Sequence, residues 1–185
     1  MKLVLCSASP RRREFLERLG VRFEVAPAHI DETRKPAEPA IAYAVRMALE
    51  KSSAGARPGC VALGADTIVV KGEEVLGKPR DRSEAERMLR MLSGTEHRVI
   101  TAVAVAGLRA IAVETTVKLA PLSDAQVRWL AASGDGDDKA GAYAAQGLAG
   151  AFIERIDGSF SNVVGLPLPE TLQLLDEAGV ELPWK

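Results

Sequence analysis

The sequence predicts an α/β domain with a twisted sheet and flanking helices. Short apolar runs alternate along the chain with segments whose apolar residues recur at helical spacing. Two stretches rich in Val, Ile and Thr, 98–106 and 110–119, flank a turn at Gly107 and read as paired strands. Hydrophobic residues make up 47% of the 185, enough for a core, and 26% are charged, enough for a soluble surface.

The elements follow in order. Residues 2–6 form a buried strand, and 10–19 a helix with Phe15, Leu16 and Leu19 on one face. Ser9 is placed to cap that helix and Pro10 suits its first turn. Phe23–Ala26 is a short strand, followed by a polar loop with Pro27, Pro36 and Pro39. Ile41, Ala44, Val45, Ala48 and Leu49 mark a helix over 38–54, ending near Gly55. Residues 61–70 are an apolar strand interrupted by Gly64, Asp66 and Thr67, and 71–78 read as its hairpin return. Ser83-Glu84-Ala85-Glu86 is a capping-box pattern for a helix with Ala85, Met88, Leu89 and Leu92 inward, stopped at Gly94. After the paired strands, Ser123-Asp124-Ala125-Gln126 opens a helix to Ala132. A mobile-looking loop covers 133–138. Residues 139–167 are glycine-rich and strand-like, and a last helix runs from Pro169 to Ala178. No internal repeat or long linker divides the chain, so one domain over 1–185 is expected, with room for two lobes.

Composition excludes several classes. A net charge of −1 gives no whole-chain basis for binding nucleic acid or a membrane surface, so any anion site must be local. Cys6 and Cys60 lack CxxC spacing and the chain has only two histidines, which argues against zinc or a disulfide framework. No apolar stretch approaches about 18 residues. The apolar N-terminal run precedes Arg11, Arg12 and Arg13, the reverse of a signal peptide, and a cytoplasmic protein is expected.

The densest signal is the first strand-to-helix corner, Cys6-Ser7-Ala8-Ser9-Pro10-Arg11-Arg12-Arg13. A helix N-terminus presents N–H groups and a positive dipole end, where cations are unfavourable unless an anion joins them. Three arginines in that turn suggest a polyphosphate, although a solvated basic helix start has the same composition. No Walker-type loop is present.

Asp66 places a carboxylate inside an apolar run, which is costly unless it is paired, hydrogen-bonded or metal-bound. Gly64 beside it lets something approach. The alternative is an aspartate in a strand-end turn. Lys78 is held extended by Pro79, and Lys51 falls at a helix end that favours lysine in any case. Glu32 can add a metal-facing carboxylate or belong to a plain polar loop. His97, just before a strand, suits a surface or capping role. Asp135, Asp137 and Asp138 resemble a calcium loop, but Gln146 stands where its closing Glu would be. Gln146 offers one acceptor and two donors, which can match N3–H and O4 of uracil or thymine or satisfy nearby backbone.

The order of these motifs is more specific than any one of them. Ser7-x-Ser9-Pro10-Arg11-Arg12, Glu50-Lys51, Gly64-Ala65-Asp66-Thr67, Gly77-Lys78-Pro79, Leu92-Ser93-Gly94-x-x-His97, Lys139-Ala140-Gly141-x-Tyr143-x-x-Gln146-Gly147 and Asn162-Val163-Val164-Gly165-Leu166-Pro167 together resemble the Maf family of nucleoside triphosphate pyrophosphatases, also called septum formation inhibitor proteins. The resemblance spans about residues 3 to 175. It implies a central mixed sheet in two lobes around a cleft, like the inosine triphosphate pyrophosphatases. It implies hydrolysis of a nucleoside triphosphate between the α and β phosphates, with Mg²⁺ or Mn²⁺, in a homodimer. Asp66 would be the proton acceptor and, with Glu32, would face the metal. Ser7, Arg12, Lys51 and Lys78 would hold the phosphates. Arg11, Thr67 and Gln146 match the branch that prefers dTTP and UTP. Ala145 stands where a bulkier apolar residue is usual, and the 134–138 loop is unusually rich in Gly and Asp. The alternative function is a nucleotide-sensing regulator of septum formation that acts by binding.

Overall fold

The computed structural model describes residues 1–185. Seven strands form one sheet: β1 (Lys2–Leu5), β2 (Phe23–Val25), β3 (Cys60–Lys71), β4 (Glu74–Leu76), β5 (Glu96–Val105), β6 (Arg109–Leu119) and β7 (Ile153–Asp157). Their order is β2-β1-β3-β5-β6-β7, with β4 paired to β3. β1 runs parallel to β2 and β3, whereas β3–β4 and β6–β7 are antiparallel, so the sheet is mixed. Six helices accompany it: α1 (Pro10–Arg18), α2 (Ala40–Ala54), α3 (Arg82–Leu92), α4 (Asp124–Ser133), α5 (Phe160–Val164) and α6 (Leu168–Glu177). The α/β class read from the alternation is the class observed. No helix is long and apolar enough to cross a membrane.

The chain divides into two compact units. The first comprises 1–66, 101–113 and 165–185, and the second 67–100 and 114–164. Each has its own core. In the first, Leu3, Leu5, Leu16, Leu63, Leu166 and Leu174 are sealed from solvent, each contributing about 1.5–3 kcal/mol by burial. In the second, Leu76, Leu89, Leu92, Val117 and Leu119 do the same around Tyr143.

Side-chain alternation in β3 decides what lies beside Asp66. Residues two apart share a face, so Gly64 and Asp66 point the same way. A Cβ at Gly64 would overlap the carbonyl oxygen of Ala48 and lie 2.5 Å from the Ser52 nitrogen. What the missing side chain admits is therefore the backbone of α2. That helix buries Ala44, Met47, Ala48, Lys51 and Ser52, while Ile41 and Leu49 of the expected stripe are exposed. The inward face is rotated from the reading above because Ala48 and Ser52, not Ile41 and Leu49, lie against Gly64. Gly64→Ala should push α2 outward, lower stability by about 1–3 kcal/mol and lower activity. Denaturant unfolding of the variant checks this.

Three local readings need correction. Ser9 stands at the N-cap of α1 with extended backbone, but its hydroxyl makes no cap bond. Helix α3 is capped by Asp81, which accepts the Glu84 N–H at 2.8 Å, while Glu84 accepts from the Arg80 backbone N–H and guanidinium. A charged carboxylate two residues upstream displaces Ser83 from the expected box. Residues 139–167 are mostly turns rather than strands: 3₁₀ turns span Ala140–Ala142 and Leu148–Phe152, β7 is the one strand, and α5 follows it. Their N–H groups go to nearby carbonyls, as in Gly147 to Ala144 and Gly150 to Gly147, instead of to a ladder. The Ser123–Gln126 capping box of α4 is present as expected.

Candidate active site

In the first unit, β1 delivers Ser7 to the start of α1. Cys6, just past the end of β1, still bonds its N–H to the Leu63 carbonyl at 2.8 Å. Ser7 is buried, and its hydroxyl oxygen accepts from the Ser9 N–H at 3.2 Å and from Arg12 Nη1 at 2.9 Å. Both lone pairs are engaged, so the hydroxyl's remaining capacity is to donate. The start of α1 carries no side-chain cap and no acidic residue.

Of the three arginines, Arg12 turns inward. Its Nε donates to the Gly165 carbonyl at 2.8 Å and its Nη1 to the Ala65 carbonyl at 2.9 Å as well as to Ser7. At least three of its five N–H groups thus hold protein acceptors, tying α1 to β3 and to the segment before α6. Arg11 is half-buried and Arg13 is exposed beside Glu17. The basic corner and the residue preceding Asp66 are thereby joined directly.

Asp66 is 8% exposed. Lys51, from the last turn of α2, donates from Nζ to Asp66 Oδ1 at 2.7 Å. The same ammonium lies 3.0 Å from Glu32 Oε1. Burial raises the Asp66 pKa above the ordinary carboxylate value, Lys51 and Arg12 oppose the rise, and Glu32 adds to it. Asp66 is consequently a stronger base than an exposed aspartate.

Glu32 sits on the loop before α2, and the helix holds that loop. Tyr43 donates its hydroxyl proton to the Glu32 carbonyl at 2.7 Å. Arg46 grips Glu38 with two hydrogen bonds of 2.7 and 2.8 Å, reaches the Thr33 carbonyl at 3.0 Å, and stacks 5.5 Å over Tyr43. Sequence reasoning missed Tyr43, Arg46 and Glu38. The available signal was the three-residue spacing of Tyr43 and Arg46 on one helix face; nothing in the sequence points to Glu38.

The second unit holds the other candidates. Thr67 is half-buried in β3, and Lys78 and Gln146 are exposed. The Gly141 N–H donates to the Gly77 carbonyl at 3.1 Å, which ties the Lys78 segment to the loop leading to Gln146. His97 is not at the surface as expected. It is 3% exposed, its Nε2 lies 2.7 Å from the Tyr143 hydroxyl, and burial with Lys71 nearby pulls its pKa down to about 4. It is neutral at physiological pH, and burial raises the Tyr143 phenol as well.

Two carboxylates converging on one cation make a small hard-oxygen donor set. Glu32 and Asp66 are two carboxylates that could hold a cation, and no cluster of three or more His, Cys, Asp or Glu exists. That set suits Mg²⁺ or Mn²⁺, which complete their shells with phosphate and water oxygens, and not zinc.

Fold and site together define an α/β protein that places a buried carboxylate beside a cationic strand-to-helix corner. The family model described as Maf-like protein matches residues 2–178, and the chain belongs to that family. It is 54% identical over 191 residues to a dTTP/UTP pyrophosphatase of Anaeromyxobacter dehalogenans, covering 100% of this chain and 97% of that protein. It is 52% identical to a protein of the same name from Myxococcus xanthus, covering 99% and 95%, and 49% identical to one from Shewanella oneidensis, covering 97% and 100%. Among solved structures, the Staphylococcus aureus Ham1 protein aligns with a TM-score of 0.43 at 16% identity, over 67% of this chain and 73% of that one.

Proposed function

We propose that the protein is a nucleoside triphosphate pyrophosphatase that hydrolyses dTTP and UTP, and modified pyrimidine analogues, to the monophosphate and pyrophosphate, keeping them out of nucleic acid. The observation that carries the proposal is the Glu32–Lys51–Asp66 cluster beside Ser7 and the start of α1. A binding module has no need of a carboxylate held buried at a raised pKa. The names of relatives about half identical over the full chain support the same reading.

Asp66 accepts a proton from the attacking water, whose oxygen forms the new P–O bond as the α–β anhydride breaks. Ser7 donates its hydroxyl proton to a phosphate oxygen, and Lys51 and Lys78 offset its charge. Arg12 acts at the phosphates mainly by holding Ser7 and Ala65 in place. Glu32 and Asp66 would hold Mg²⁺ or Mn²⁺, which supplies Lewis-acid neutralisation of phosphate charge. Arg11, Thr67 and Gln146 select the pyrimidine base. Residues 1–185 work as one domain, in the cytoplasm and as a homodimer, with a nucleotide and not nucleic acid or membrane as partner.

The test is a panel of nucleoside triphosphates with added Mg²⁺ or Mn²⁺ and identification of products. Pyrophosphate and monophosphate from dTTP and UTP are expected. Orthophosphate with diphosphate would make it a terminal phosphatase, and binding without product would favour a nucleotide-sensing regulator.

A further inference from the structure

Gln146 sits on a turn with 3₁₀ segments on both sides and no strand or α-helix to stiffen it. A side chain that reads a base edge by hydrogen bonds needs its backbone fixed, because small displacements are expensive. The loop 133–138 supplies the fixing. Asp135 Oδ2 accepts the Leu148 N–H at 3.0 Å and so caps the second 3₁₀ segment. The same carboxylate fills the space where Gly147 would carry a Cβ, so that any side chain at 147 would land inside it. Gly136 is fitted in the same manner: its Cβ position is taken by the Ala142 carbonyl. Asp135 is itself held, its N–H donating to Ser133 Oγ at 3.2 Å at the end of α4. On the opposite side, Tyr143 is anchored on His97, and the Gly147 N–H closes back on the Ala144 carbonyl at 3.1 Å.

We infer that Asp135 is a positioning residue for base selection: its carboxylate sets the Gln146-Gly147-Leu148 turn, and through it the angle at which the Gln146 amide meets a pyrimidine. The inference rests on the assignment of Gln146 to the base. It gives a task to a Gly- and Asp-rich loop that has none in the chemistry. The carboxylate does two things that a generic loop residue does not. It removes one N–H from competition for the Gln146 amide oxygen, and it occupies the space a side chain at 147 would need, so that a residue other than glycine there displaces it.

Steady-state kinetics with dTTP, UTP, dCTP and dGTP should be compared for wild type, Asp135→Ala, Asp135→Asn, Gly147→Ala and Gln146→Ala. Asp135→Ala is expected to raise KM for dTTP and UTP about tenfold with kcat within about threefold, narrowing the preference over dCTP. Asp135→Asn keeps an oxygen for the Leu148 N–H and should return KM to within about threefold of wild type. Gly147→Ala should reproduce the KM increase, and combined with Asp135→Ala should add little to it, since both disturb one contact. An Asp135→Ala enzyme with unchanged selectivity overturns the inference, as does one that loses kcat equally on all four nucleotides. If Asp135→Ala does not fold, Gly147→Ala alone decides in the same way. Gln146→Ala separates the two levels. If it leaves the base preference intact, the assignment of Gln146 fails. If it erases the preference while Asp135→Ala does not, only the positioning role fails.

Discussion

Asp66→Asn is expected to lower kcat for dTTP and UTP by about 10²–10⁴-fold while nucleotide binding and the fold persist. The amide keeps the shape of the carboxylate and an oxygen for Lys51 Nζ, now 2.7 Å from Oδ1, but it cannot take a proton from water. Product assays, a binding titration and an unfolding curve on the same preparation separate these effects. The wild-type pH profile provides a second check. Asp66 works only when ionised, so kcat/KM should fall as pH drops through its pKa in the free enzyme. Because burial is the largest influence and raises that pKa, the acid limb should lie above the range of an exposed aspartate. Full turnover by Asp66→Asn would remove this residue from the role of base.

The second large effect belongs to Lys51. Replacement by Met keeps the length of the stem and deletes the ammonium that bridges Asp66 and Glu32. The Lys51 and Asp66 side chains are each 11% exposed, so breaking the pair leaves a buried carboxylate with only Arg12 to offset its charge, which costs about 3–5 kcal/mol. The Glu32 side of the bridge is 53% exposed and adds little, about 0–1 kcal/mol. Lys51 is the foremost influence lowering the Asp66 pKa, so its removal should also move the acid limb of kcat/KM to higher pH. The stability loss has a definite sign with pH. A folded-state pKa raised further above the unfolded one makes the penalty full above the folded value, and the penalty fades as pH falls and Asp66 protonates. Denaturant midpoints across that range measure it. A Lys51→Met protein with wild-type stability and an unmoved acid limb would show that the ammonium and Asp66 are not coupled.

Particular residues show why some of this was legible in the sequence. A carboxylate in the middle of an apolar run is visible without coordinates, because burying it carries a cost that needs an explanation. The basic corner is visible for a similar reason: cations at a helix start oppose the dipole. Lys51 was not legible from composition, since a lysine near a helix C-terminus is favoured whatever it touches. Nor could spacing alone, without the resemblance, say which of three consecutive arginines turns inward. Successive helical residues point about 100° apart, and only the packing against Ala65 and Gly165 selects Arg12. The α2 stripe was misread because large apolar residues weigh most in a periodicity, whereas the helix sets Ala48 and Ser52 against Gly64. His97 was misplaced because its partner Tyr143 is 46 residues away.

By itself the sequence determined the α/β alternation, the cationic corner, the embedded Asp66 and the ordered motifs of the family. These depend on spacings of one to a few residues, where propensity and periodicity act. The tertiary structure alone decided that Gly64 admits a helix rather than a ligand, that Lys51 joins Glu32 to Asp66, and that Asp135 fills the space beside Gly147. Each of those contacts is made between segments whose approach is set by core packing, and close-packed interiors fix distances to a few tenths of an ångström that no local pattern encodes.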